Sequence, residues 1–423
     1  MNGAMSSAEQ KSSDRTTSGL VVANGLSYQL TPQISVVTQR NIRKYPANRD
    51  SYVGNGTVLI DLPTGDAYVS ASTSWLTFTL TATSANPVFL TAGGSALDCI
   101  DEILWKHSSG KEILRNPRFN VYSRATNRFT HSQGVLDTVG SVAGFGDEGT
   151  TDLTAGATFS VPLSYLSDLF SSSQLLPPWL VSGSQLSLRL TDVIKAFFST
   201  VTDATQFTFS NCEIFLDSVI LSDSVGRKML QQVAAGNVEM EYMAYQNYQN
   251  ASGNASTNYQ VDTQVSVARA VGAVGVARVT ANISNAQLDS LAPDVSDLNH
   301  LQSRLGALLF PEAPLTTAAD IFTYALRSMK KLDGRHETAV RFSDFKGAAA
   351  QVPGTAVVYN SELITAYLQK NDFLNGSGLP TNKQSGSLIV SMRYATSKNR
   401  TIDIYVQFMK ALKVGASQIL VAE

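Results

Sequence analysis

The stretch Gln206-Phe-Thr-Phe-Ser-Asn-Cys-Glu-Ile-Phe-Leu-Asp-Ser-Val-Ile-Leu-Ser-Asp-Ser-Val-Gly-Arg-Lys-Met-Leu-Gln-Gln-Val-Ala-Ala-Gly236 changes period halfway along its length. Up to Leu221 the apolar residues Phe207, Phe209, Ile214, Leu216, Val219 and Leu221 are interleaved with polar ones in a largely period-2 pattern, which suits a strand with one buried face. From Ser222 the repeat is helical. Val225, Met229 and Val233 recur every four residues, Ser222, Asp223 or Ser224 can cap the first turn, and Gly236 suits a left-handed stop. The unit lies midway between a polar N-terminal stretch and the end of the chain. Two β-rich halves joined by a short helix is the expectation that follows.

Composition agrees with two halves. A chain of 423 residues exceeds the roughly 250 to 300 over which a single core grows. Charged residues make up 16% of the chain, below the ~25% usual for soluble domains, and Thr, Val, Tyr and Phe favour strands. The low charge suits a surface covered by copies of the same protein, and equally an ordinary β protein with Ser/Thr loops. A net charge of −2 disfavours strong direct nucleic-acid binding. Residues 1–50 read as a partly flexible N-terminal arm, in which Lys11, Arg15, Arg40, Arg43, Lys44 and Arg49 outnumber Glu9, Asp14 and Asp50. Met1 to Ser18 has almost no large apolar residue to offset its ordering entropy, whereas Leu20 to Tyr45 has enough to lie along a folded surface as a tether. Cys99 and Cys212 sit on apolar segments and read as buried free thiols. No apolar signal-peptide core opens the chain and no run approaches the ~18 residues of a membrane span, so an intracellular product is expected.

Along the first half, Thr57 to Pro63 and Trp75 to Thr81 alternate as strands, and Ile103 to Leu114 reads as a hairpin about Ser108-Ser-Gly110. Asn116-Pro117 opens a helix through Phe119, Tyr122 and Phe129. Gly134 to Gly156, acidic and poor in large apolar residues, reads as a long exposed loop. In the second half Val238 to Tyr248 alternates weakly, and Thr263 to Ile283 reads as two strands broken at Gly272 to Gly275. Asp297 to Phe310 and Thr317 to Met329 carry helical spacing; Ser387 to Tyr394 and Thr401 to Met409 alternate about a polar turn. The expected boundaries are 51–221 for the first β domain, 222–236 for the connecting helix and 237–423 for the second.

Catalytic signals are few. His107, His131, His300 and His336 are widely separated, with none at metal-ligand spacing. Ser108-Ser-Gly-Lys111 lacks the preceding glycine of a phosphate-binding loop, Gly54-Asn-Gly56 precedes a strand where a dinucleotide site needs a helix, and no G-x-S-x-G elbow is present. Of the carboxylate pairs, Asp98 with Asp101 and Glu239 with Glu241, the second would share a solvent face of a strand; a glycosidase pair assembled from distant strands leaves no local signature. Tyr242, Tyr245, Tyr248 and Tyr259, set among Asn and Gln, suit a surface for sugars or for another subunit. No catalytic residue, cofactor or metal is expected.

The order of these segments resembles the double jelly-roll major capsid proteins of icosahedral DNA viruses, notably those of virophages and polinton-like viruses. The resemblance runs from about Thr57 to Val421. It rests on Ile60-Asp-Leu-Pro63 with Trp75-Leu-Thr-Phe78, on Phe159-Ser-Val-Pro162, on Leu175-Leu-Pro-Pro-Trp-Leu180, and on Asn211-Cys-Glu-Ile-Phe-Leu216 with the helix after it. Its most specific part is Gln302-Ser-Arg-Leu-Gly-Ala-Leu-Leu-Phe-Pro-Glu-Ala-Pro314, where Arg304, Gly306, Phe310 and Pro311 occupy the family's Arg, Gly and aromatic-Pro positions; Leu309 stands where relatives often carry a second aromatic.

The resemblance implies an all-β fold of two tandem eight-stranded jelly rolls with short helices in the connections. It implies a virion protein without catalysis or cofactor, whose homotrimers form pseudo-hexagonal capsomers tiling an icosahedral shell around a DNA genome. Penton and minor capsid proteins are the further partners implied. The arm, with Lys11, Arg15, Arg40, Arg43 and Lys44, would face inward to neighbours, and genome charge would be neutralised elsewhere. Two other readings are a carbohydrate-binding or carbohydrate-active pair of β-sandwiches, and a viral penton or spike protein.

Overall fold

A computed structural model describes residues 36–90, 94–145, 151–192, 197–199, 206–235, 238–251, 253–285, 289–294, 297–332, 337–346, 362–369, 378–381, 387–414 and 419–422. In the first half one sheet runs β1 (Val37–Pro46), β11 (Gln206–Leu221), β4 (Tyr68–Thr83), β8 (Ala157–Pro162), with β2 (Ser51–Val53) also on β11. It packs on a sheet ordered β3 (Thr57–Leu62), β9 (Ser184–Leu190), β6 (Ile100–Lys106), β7 (Glu112–Pro117). β5 (Val88–Leu90) and β10 (Phe197–Ser199) form a short separate pair. In the second half β12 (Val238–Ala251), β19 (Arg400–Val414), β14 (Ala270–Val279) and β17 (Ile364–Tyr367), with β20 (Ile419–Ala422) on β19, make one sheet. β13 (Ser256–Thr263), β18 (Leu388–Lys398), β15 (Leu298–Leu305) and β16 (Leu308–Leu315) make the other.

Setting aside β2, β5, β10 and β20, each half has eight strands among the described residues. Counted along the chain, they lie in the order one-eight-three-six in one sheet and two-seven-four-five in the other, in both halves. That order is the jelly roll, an antiparallel strand ribbon wrapped across two sheets. The protein is a double jelly roll. Its α-helices of five or more residues, among the described residues, are α1 (Phe119–Thr130), α2 (Asp223–Ala234), α3 (Ala318–Ser328) and α4 (Phe342–Lys346).

β11 is paired on both sides, by β1 and by β4. Phe207 and Phe209 face the core, and so do Cys212, Ile214 and Leu216, so the inward set changes phase between positions 209 and 212. Asn211 adopts a left-handed φ of 51°, and the register with β4 slips between Ser210 and Glu213. This bulge resets the alternation and keeps both segments pointed inward. Phe209 then stacks on Phe78 of β4 with ring centroids 4.3 Å apart. α2 follows at once, as expected; Ser222 holds the cap position with its hydroxyl near that of Ser224 and not on a backbone N–H of the first turn, and Gly236 lies outside the described residues.

Four expectations change. Residues 37–46, assigned to the arm, form strand one of the first jelly roll; their side chains are largely exposed, so the sequence carries no core signal for them. Asp297 to Phe310 is not helical but enters the β15–β16 hairpin. Leu298 and Leu301 both face inward because the register with β18 slips between Leu298 and His300, and that three-residue spacing imitates a helix. β14 runs through Gly272 and Gly275 as one strand: a Cβ on Gly275 would lie 2.5 Å from Ile404 Cδ1, so the glycine admits a close neighbour instead of breaking the strand. In Gly134 to Gly156, of which residues 146–150 lie outside the description, short helical turns bury Leu136, Ala143, Phe145 and Leu153.

Candidate assembly surfaces and the seam between the jelly rolls

Helix α1 belongs by sequence to the first half, yet its residues from Phe119 to Phe129 are buried except for the half-buried Tyr122. A helix so rich in Asn, Arg and Thr must find buried partners for them. The second half supplies many. Arg124 Nη2 pairs with Asp289 Oδ2 at 2.8 Å, both side chains under 5% exposed. The Arg128 carbonyl accepts from Ala339 N at 2.9 Å, Thr130 O accepts from Lys331 Nζ at 3.0 Å, and Gln407 Nε2 donates to the Tyr122 hydroxyl at 2.8 Å. Beside α1, the Tyr242 hydroxyl donates to Ile113 O of β7, and Met243 N of β12 donates to Asp168 Oδ2 at 2.8 Å. Two edge strands, β7 and β12, thus meet along the seam.

Aromatic packing completes the junction. Tyr122 stacks on Tyr245 at 4.3 Å and meets Tyr405 at 5.1 Å, while Tyr245 and Tyr405 meet edge to face at 5.4 Å. Burial pushes the Tyr122 hydroxyl up to about 12, and it holds those of Tyr245 and Tyr405 well above the usual phenol range. All three stay neutral at physiological pH. The tyrosines expected to form a binding surface are therefore mostly interior: Tyr242, Tyr245 and Tyr259 are 1%, 7% and 7% exposed, and only Tyr248 is half-buried. They occupy inward positions of β12 and β13, where a Tyr carries its polar tip to a backbone acceptor or another ring.

The basic residues of the expected arm divide. Lys11 and Arg15 lie outside the described residues. Arg40 Nε donates to Asp217 Oδ1 at 2.9 Å and Lys44 Nζ lies 2.7 Å from Glu213 Oε1, so both fasten β1 to β11; Arg43 Nη1 donates to Thr64 O at 3.3 Å. The hydrogen bond from Arg40 holds the Asp217 carboxyl below its usual range. Arg304 is exposed at the end of β15, Gly306 turns the hairpin with φ 59°, and Phe310-Pro311 follows on β16. Leu308 and Leu309 beside that turn are 46% and 42% exposed. Val36 and Ile42 at β1 and Leu230 on α2 are exposed as well.

Nothing of the described structure gathers the other chemical groups into a reactive centre. Asp98 receives the Ser95 N–H at a cap while Asp101 pairs with Arg189, and Glu239 and Glu241 face solvent opposite Lys413 and Arg269. The His107 ring orders its own turn through Ser109 Oγ and Trp179 O, each 2.9 Å away. His300 lies on β15, and His336 falls outside the described residues. Cys99 and Cys212 are free and buried. Among the described residues no group of three or more His, Cys, Asp or Glu could hold a metal. Sequence reading missed α1 as the bolt of the molecule because Arg124 and Arg128 look like solvent-facing residues until their partners, over a hundred positions away, are placed beside them.

No protein-family model matches the sequence, and no curated protein matches it. Solved structures do. The Faustovirus major capsid protein superposes with a TM-score of 0.62 at 8% identity, covering 94% of this chain and 94% of that one. A chain of the Sputnik virophage cryo-EM structure gives 0.60 at 10% identity, with 95% and 91% covered. The mavirus major capsid protein gives 0.53 at 10% identity, with 94% and 93% covered. Over nearly its whole length the chain shares the double jelly-roll fold of these viral proteins.

Proposed function

We propose that the chain is a major capsid protein, a structural subunit without catalysis. Three copies would form a capsomer of pseudo-hexagonal outline, and capsomers would tile an icosahedral shell around a DNA genome. The seam carries this reading. Two jelly rolls of the same strand order, bolted side by side by α1, give a rigid body with two equivalent walls, and three such bodies about one axis give six. The fold shared with Faustovirus and mavirus major capsid proteins supports it. So does the low charge of the chain, since flat lateral contacts are depleted of charge at their centres.

Within that subunit we assign residues 37–221 to the first structural unit, 222–236 to the connector and 237–423 to the second. Lys11 and Arg15 of the leading segment would reach neighbouring subunits, while Arg40, Arg43 and Lys44 hold its root to the first jelly roll. The hairpin of Arg304, Gly306, Phe310 and Pro311 would shape a contact between subunits. Penton and minor capsid proteins would complete the shell, and the net charge of −2 leaves genome neutralisation to other components. Light scattering of the purified protein tests the assembly step. The expected mass is three times 45.4 kDa, or that of closed shells; a monomer at every concentration would refute the reading.

A further inference from the structure

The seam inside the chain joins unlike edges. β7, the fifth strand of the first jelly roll, meets β12, the first strand of the second, and the two touch without entering one ladder. Because both halves have the same strand order, the chain carries a second edge of each kind. β16 is the fifth strand of the second jelly roll and β1 the first strand of the first, and each stands at the end of its sheet. The positions also correspond along the strands. Val37 and Val238, which open β1 and β12, pair with Leu221 and Val414, the last residues of β11 and β19. Ile42 lies five residues after the first and Tyr242 four after the second, while Ile113 and Leu309 are the second residues of β7 and β16.

At the seam the Tyr242 hydroxyl reaches Ile113 O, and the two residues are 1% and 0% exposed; at the other two edges Ile42 and Leu309 are 52% and 42% exposed. The helices differ in the same sense. α3 follows β16 as α1 follows β7, yet α1, against the second half, buries ten of its twelve residues and α3 buries two of eleven. Exposed apolar residues taken singly need no partner. These lie where the same fold, in its other half, is covered. We propose that β16 and α3 of one copy dock on the β1 edge of a second copy and repeat the seam between chains. The inference rests on the capsomer reading and names its faces. A contact of unlike edges is head to tail, the kind that closes a ring when its rotation allows. Pro311 and Pro314 leave β16 without two ladder donors, so the copies meet by side-chain packing, as β7 and β12 do.

The test is cross-linking between copies of the full chain. Cys99 and Cys212 are buried, so thiols placed by Ile42→Cys and Leu309→Cys are the accessible ones among the described residues. The two singly substituted chains, carrying distinguishable tags, are co-expressed, treated with a short bismaleimide and read on a denaturing gel, with light scattering of the same sample. The expected result is a covalent pair holding one chain of each kind, and none from either variant alone. Leu309→Asp, at an exposed position, should keep the Tm of the isolated subunit and weaken association by about tenfold or more. Trimers without the Ile42–Leu309 link, equal linking in Leu309→Cys alone, or undiminished association of Leu309→Asp would each overturn the assigned faces while leaving the capsomer. A monomer at every concentration would overturn both.

Discussion

Tyr122 on α1 and Tyr245 on β12 lie ring on ring across the seam, 4.3 Å between centroids, and Gln407 fixes the Tyr122 hydroxyl from a third element. This triangle ties the helix of one jelly roll to the sheet of the other. Truncating the half-buried Tyr122 to Ala should cost about 2–4 kcal/mol, somewhat below the range for fully buried aromatics, whereas Tyr122→Phe should cost only ~1 kcal/mol for the lost hydrogen bond. Urea unfolding of both variants checks the ordering. Similar losses would show that the hydroxyl, and not ring packing, dominates.

The Arg124–Asp289 pair should behave as a buried ion pair does. Arg124→Met or Asp289→Asn alone should cost about 3–5 kcal/mol by stranding the other charge, and the double variant should lose clearly less than the sum. A double-mutant cycle reads the coupling directly. Additive losses would mean that the two groups do not interact.

Two glycines should respond with opposite signs to the same change. Gly275→Ala drives a methyl against Ile404 and Ile364 and should destabilise by about 1–3 kcal/mol. Gly226 lies within α2 with open space about its Cβ position, so Gly226→Ala should stabilise by about 0.5–1 kcal/mol. Thermal melts of the pair separate strand packing from helix propensity.

Acid should weaken the fold in two stages. Burial, only partly opposed by the Asn127 carbonyl, lowers the His131 pKa from its ordinary 6.5. The folded state therefore binds this proton less readily than the unfolded one, and stability falls as pH drops through 6.5 toward the folded value. Asp217 is lowered from 3.8, chiefly by its hydrogen bond from Arg40, so its contribution is full above 3.8 and is lost as pH falls through the folded pKa. His131→Gln should flatten the Tm profile between about pH 7 and 5, and Asp217→Asn should flatten it only below about pH 4. Unchanged slopes would remove these groups as the cause.

Much of the fold was legible where one period ran unbroken. Trp75 to Thr81, the Ser108-Ser-Gly110 hairpin, the helix after Pro117 and the paired alternations of β18 and β19 all lie where their patterns place them. The failures share a cause. At Leu298, as at Asn211, a bulge shifts the inward face by one position, and a sequence read at fixed period mistakes the shift for another structure or overlooks it. Gly275 reads as a break because its reason for being glycine, Ile404, lies on a strand 129 positions later. The seam was hidden for the same reason, since the partners of Arg124 and Tyr122 come from the other half.

The leading segment offers a separable test of assembly. Removing residues 1–35 leaves β1 and its Arg40 and Lys44 pairs intact, so the shortened chain should unfold at the Tm of the full chain while forming fewer or malformed shells. Normal shells from the shortened chain would refute a tethering role.

Electron microscopy of the purified oligomer in negative stain tests the central claim most directly. A double jelly roll built to tile a shell predicts compact trimers with a hexagonal outline, six lobes of near-equal size around one axis. Three-lobed particles with the two jelly rolls of each chain stacked along the axis, or fivefold rings, would contradict it.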